Sequence, residues 1–206
     1  MACMAGIDKL ISISLPTRIK KKIDADTLKK IERELFLEHG MSIKLATEHF
    51  QTLLKVIKKN SEIDIEKFEE ECLKEIIQVK KVKENYHLTI LDSKLVHFIL
   101  DIFGDDETRK IIISILKSEH TIPEILKESG IPKTSGYRKI ENLLINGFFI
   151  GTGKVLSESK KISKIQCIFQ EILMDAKKEK LIVSGIVPKK IFEKSTTMKS
   201  IVKNLE

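Results

Sequence analysis

Residues 121–149, TIPEILKESGIPKTSGYRKIENLLINGFF, leave the backbone few options, and the rest of the chain has to be arranged around them. Thr121 and Glu124 stand three apart, the spacing at which a hydroxyl and a carboxylate satisfy each other's free backbone groups at a helix start. Pro123 falls in the first turn, where a missing N–H costs little. Ile122, Ile125 and Leu126 give this helix one apolar side, and Gly130 follows where a left-handed C-cap residue is wanted. Ile131-Pro132 then forces an extended residue before a second helix can begin. In that second helix, about 133–145, the faces are sorted by type. Gly136, Ile140, Leu143 and Leu144 fall on one side, and Arg138 points almost directly away from them. Thr134, Ser135, Glu141 and Asn142 share the outer side, with Tyr137 and Lys139 flanking it. This spacing fits a helix-turn-helix, and it also fits an ordinary helical hairpin whose polar side is merely wet.

The next residues favour the first reading. Asn146-Gly147 closes the helix, and FFIGTGKVLSE then KKISKIQCIF read as two strands split by Ser157-Glu158-Ser159. A basic hairpin directly behind such a helix has the form of a wing. In these residues the chain resembles the winged helix-turn-helix regulators of archaea and bacteria, the broad ArsR/MarR-like class. FGDDETRKIIISIL (103–116) matches the opening helix, IPEILKESGIPKTSGYRKIENLLINGFF (122–149) the motif, and LSESKKISKI (156–165) the wing tip and returning strand. The resemblance covers about a third of the chain and implies a winged helix that binds double-stranded DNA. Metal-sensing relatives in that class carry closely spaced cysteines, whereas Cys3, Cys72 and Cys167 lie far apart here, so no metal and no disulfide framework is expected.

Charge agrees with a nucleic-acid partner. The net charge of +7 over 206 residues is unevenly placed: residues 1–100 contribute +2 and residues 101–206 contribute +5. Within 133–164 seven basic residues face two acidic ones, so this segment equals the whole excess of its half. A basic stripe on a reading helix and wing is the electrostatic footprint that nucleic acid requires, with a solvated lysine-rich surface as the plainer alternative. Composition excludes other classes. No apolar run approaches the roughly 20 residues of a membrane span, and MACMAGIDKLISISLP lacks a basic leader, so a cytoplasmic protein is expected. Gly151-Thr152-Gly153-Lys154 fails as a phosphate loop, because Phe148 and Val155 stand where glycine and a hydroxyl residue are needed. No nucleophile or metal-ligand spacing appears, so no enzyme and no cofactor is expected.

Elsewhere the periodicity predicts a helix after Asp26, at about 27–39, and two more at about 43–59 and 65–82, started by Ser42 and Asp64. These suggest a small helical bundle. KKVKENYHL (80–88) reads as a polar break, and a helix over 92–103 carries the stripe Leu95, Phe98, Ile99, Ile102 and Phe103. FQEILMDA and KLIVSGIV read as a hairpin, followed after Pro188 by a C-terminal helix traced by Ile191, Phe192, Ser195, Met198 and Val202. The expected fold is thus mainly α with a C-terminal α+β winged helix domain. Its segments are a helical N-terminal domain for sensing or assembly (1–83), a connecting and dimerisation helix (84–104), the DNA-binding domain (105–170) and an extension (171–206). The expected DNA-binding residues are Lys133, Thr134, Ser135, Tyr137, Arg138 and Lys139 on the helix, and Lys154, Lys160 and Lys161 on the wing. Double-stranded DNA and a second copy of the chain are the expected partners, and no residue pattern specifies an effector. A transcriptional regulator is the leading reading; a protein-interaction module or an RNA-associated protein are its rivals.

Overall fold

Short polar side chains set most of the helix starts. A computed structural model of the chain describes residues 6–157, 160–178, 180–198 and 201, with backbone alone at Ser157, Lys160 and Lys180. The N-terminal half begins with α1 (Gly6–Ser12), α2 (Leu15–Lys22), α3 (Ala25–His39), α4 (Ile43–Glu48), α5 (Phe50–Asn60) and α6 (Ile65–Lys74). Asp24 caps α3 by accepting from the N–H groups of Asp26 and Thr27, Ser42 caps α4, and Asp64 caps α6. Gly40 ends α3 at φ 60°, a left-handed conformation that favours glycine.

The chain then forms a hairpin, β1 (Ile77–Val82) and β2 (Asn85–Ile90), and two helices, α7 (Ser93–Gly104) and α8 (Asp106–Ile115). Next come β3 (Glu119–Thr121), α9 (Ile122–Ser129), α10 (Lys133–Ile145), β4 (Phe149–Ser157) and β5 (Lys160–Cys167). A last hairpin, β6 (Glu171–Lys177) and β7 (Lys180–Pro188), leads into the single turn α11 (Lys189–Phe192). The strands make two antiparallel sheets, one ordered β1-β2-β7-β6 and the other β3-β5-β4. The chain is therefore a mixed α+β protein.

One continuous apolar core joins the two halves, running from Ile7, Leu53 and Leu73 through Ile99 to Ile111, Ile140 and Val187. Tyr86 of β2 stacks on Phe192 of α11 at 4.1 Å between ring centres, and Phe148 packs against Phe103 and Phe169 at 6.2 and 5.5 Å. Two polar clamps are set into this core. Asp8 of α1 is 2% exposed and accepts from the Ser195 and Thr196 hydroxyls and from the backbone N–H groups of Thr196 and Thr197. Asp92, the cap of α7, accepts from Ser14 Oγ at 2.7 Å and from Arg18 at 2.5 Å, and Arg18 also pairs with Glu75 at 2.8 Å. Those donors hold the Asp92 carboxyl below the usual carboxylate range although its burial acts in the opposite direction.

Five expectations are corrected. The helix begun at Asp64 ends at Lys74, and the polar run 80–88 is most of a β-hairpin, paired from Ile77↔Ile90 to Val82↔Asn85. Its turn, Lys83-Glu84, is the point where the expected boundary at 83/84 falls. The single helix over 43–59 is two, broken at His49, whose φ of −107° and ψ of 52° are not helical. The helix expected after Pro188 stops at Phe192, because Ser195 turns inward to Asp8; Val202 lies outside the described residues. The helix expected after Asp26 begins earlier, at Ala25, capped by Asp24.

Candidate nucleic-acid interface

The local signals of residues 121–149 are met in the structure. The Thr121 N–H and hydroxyl both donate to Glu124 Oε2, at 2.7 and 2.8 Å, and these bonds hold the Glu124 carboxyl below its ordinary value. Gly130 closes α9 at φ 71°. Gly136 then lets α10 press onto α9: a Cβ there would overlap the Leu126 side chain and come within 3.3 Å of Ile131 Cγ2. Gly136, Ile140 and Leu143 are buried, and Leu144 is half-buried. The opposite side of α10 is open, with Lys133, Thr134, Tyr137, Arg138, Glu141 and Asn142 exposed. Among the described residues Arg138 has no ion-pair partner. Ser135 is half-buried, and its hydroxyl donates to the Pro132 carbonyl at 3.4 Å.

Lys139 is placed differently from the sequence expectation. Its ammonium lies 2.6 Å from Asp105 and 3.5 Å from Glu107, and the side chain is only 18% exposed. Asp105 also caps α8, accepting from the Thr108 N–H at 2.8 Å and from the Thr108 hydroxyl. Lys139 and then Thr108 hold the Asp105 carboxyl well below the usual carboxylate range, and Asp105 in turn raises Lys139. Lys139 thus locks α10 to the start of α8 and is not a free cation. Proximity in sequence to Arg138 concealed this; the signal was Asp105 and Glu107 at the opening of the helix packed beside it.

Behind α10, β4 and β5 form the hairpin that the sequence predicted. The register shifts between Gly151 and Gly153, and the intervening Thr152 donates from its hydroxyl to Glu119 Oε2 at 3.1 Å. Lys154 pairs with Ser163 and Leu156 with Lys161, so Lys154 and Lys161 are diagonal neighbours on one face of the hairpin, and both are exposed. The side chain of Lys160, and Glu158-Ser159 at the tip, lie outside the described residues. A groove of about 700 Å³ runs between α7, α8 and α10, lined in part by Arg138, with Phe98, Ile102 and Ile145 supplying apolar wall. Cys72 and Cys167 are buried, and burial pushes their thiols up to about 12, so they act as small apolar groups.

No protein-family model, curated protein or solved structure matches the chain. No helix among the described residues is long and apolar enough to cross a membrane.

Proposed function

We propose that the chain is a DNA-binding transcriptional regulator, with residues 105–169 acting as a winged helix-turn-helix. One observation carries the reading: α10 buries Gly136, Ile140 and Leu143 while presenting on its far side an exposed Arg138, unpaired among the described residues, directly ahead of a basic hairpin. In this reading α10 enters the major groove and the Arg138 guanidinium donates to the O6 and N7 of a guanine. Thr134 and Ser135, at the helix start, contact bases or phosphates, and Tyr137 lies against the groove wall. Lys133 on α10, and Lys154, Lys160 and Lys161 on the wing, hold phosphates and fix the orientation. Lys139 acts at one remove, by setting the angle between α8 and α10. Two copies pair through the exposed remainder of α7, so that two reading helices meet two half-sites.

A gel-shift titration with fragmented double-stranded genomic DNA, challenged by structured RNA, tests this. The expected result is a salt-sensitive shift that RNA does not displace. Displacement by RNA would favour an RNA-associated protein, and no shift at all would favour a protein-interaction module.

A further inference from the structure

The β4–β5 hairpin is not the only basic hairpin that follows a helix. β1 begins at Ile77 after α6 ends at Lys74, much as β4 begins at Phe149 after α10 ends at Ile145. At the far end of β1–β2 the pairings Val82↔Asn85 and Asn85↔Pro188 bring the Lys83-Glu84 turn beside the start of α11. Lys80, Lys81, Lys83, Lys189 and Lys190, all exposed, therefore collect around one end of the four-stranded sheet, against Glu84 and Glu193. Among the described residues only Lys189 of these five has an ion-pair partner, Glu193 at 3.7 Å, and both of those side chains are about half exposed. The acidic residues at the end of α6 do not neutralise the patch, because they are already engaged. Glu71 and Glu75 pair with Lys22, Glu75 also with Arg18, and Glu70 with Lys74.

Backbone geometry supplies an independent observation. Lys83 has φ 54° and is the only non-glycine residue with positive φ among the described residues. That conformation is unfavourable for a residue with a Cβ, and glycine or asparagine is the usual occupant of such a turn. This left-handed lysine stands at the apex of a basic cluster in which, among the described residues, only Lys189 is ion-paired, and backbone strain of this kind points to a functional position.

We infer that the β1–β2 tip and the start of α11 form a second, sequence-independent contact with the phosphate backbone of double-stranded DNA. The inference rests on the DNA-binding reading above, to which it adds a surface outside residues 105–169. Phosphate is the fitting occupant because the patch offers flexible ammonium groups and no planar guanidinium or exposed aromatic ring with which to read bases.

The test uses the full chain and a mixed-sequence 40-base-pair duplex (about four helical turns), titrated over a range of salt. Lys81→Ala combined with Lys83→Gly is compared with wild type and with Lys29→Ala combined with Lys30→Ala, which removes equal charge from exposed positions on α3. The tip variant is expected to bind on the order of tenfold more weakly, with a log K against log salt slope shallower by about two. Its melting temperature should be unchanged or raised, because glycine relieves the turn; the α3 variant should match wild type in both. An unchanged slope for the tip variant, or equal losses in both variants, would overturn the inference. Arg138→Ala separates the two claims. If it leaves all DNA binding intact while the tip variant loses it, the tip contact stands and the reading role of α10 fails. If the tip variant is normal and Arg138→Ala is impaired, the reverse holds.

Discussion

Lys139 and Arg138 are neighbours of similar chemistry with different fates. Arg138 faces outward with no ion-pair partner among the described residues, whereas Lys139 is neutralised by Asp105 and Glu107. One step around a helix is about 100°, enough to turn a side chain from solvent to an adjoining helix. The direction of Arg138 was legible in the sequence, because the apolar positions Ile140 and Leu143 fix the opposite face. The partner of Lys139 was not, because it depends on where α8 lies. The pairing has a consequence for stability against pH. Asp105 is held below its unfolded value, so its contribution is fully present above the unfolded value near roughly pH 4 and is lost progressively as pH falls from there towards its much lower folded value. Lys139 is raised, so its contribution is present below the ordinary lysine value of roughly 10.4 and is lost as pH rises through its folded value. Thermal melts of wild type and Asp105→Asn should keep a constant separation from neutral pH down to about pH 5 and begin to draw together below about pH 4. Coincident curves at neutral pH, or a separation that does not narrow in acid, would mean that the charge on Asp105 contributes little.

At the scale of elements, legibility followed the local rules. Helix starts marked by Ser42 and Asp64 and the end marked by Gly130 could be read because their cause lies within four residues. The β1–β2 hairpin could not, because IQVKKVKENYHLTI is rich in lysine and pairs with β7, about a hundred residues away. Its signal was the alternation of Tyr86, Leu88 and Ile90, which the structure buries on one face. The β4–β5 hairpin was legible, and its faces yield a prediction. Lys154→Ala combined with Lys161→Ala, which strips one face, should weaken binding to all duplex sequences alike and make the salt slope shallower by about 1–2 units. A change confined to one sequence would assign these residues to base reading instead.

Over the whole molecule, the apolar stripe on α7 divides in two. Leu95 and Ile99 are core, and Phe103 packs edge-on against Phe148, while Phe98 and Ile102 are only half-buried and line the groove beside α10. The sequence showed the stripe but not its division, since the packing of β7 and α8 against α7 decides which positions are covered. Sedimentation of the intact protein should show a dimer at micromolar concentration, and Phe98→Glu should dissociate it with the fold retained. A monomeric wild type, or an unfolded Phe98→Glu protein, would remove α7 as the contact.

The central claim is that Arg138 on α10 reads DNA sequence. It is tested most directly by selecting genomic fragments with the wild-type protein and then titrating the selected site and a scrambled duplex against wild type and Arg138→Ala. Wild type is expected to prefer the selected site. Arg138→Ala, with an unchanged melting temperature, is expected to lose that preference at a cost of roughly 1–3 kcal/mol. An Arg138→Ala protein that keeps both the affinity and the preference, or a wild type that binds no duplex DNA, would contradict the account.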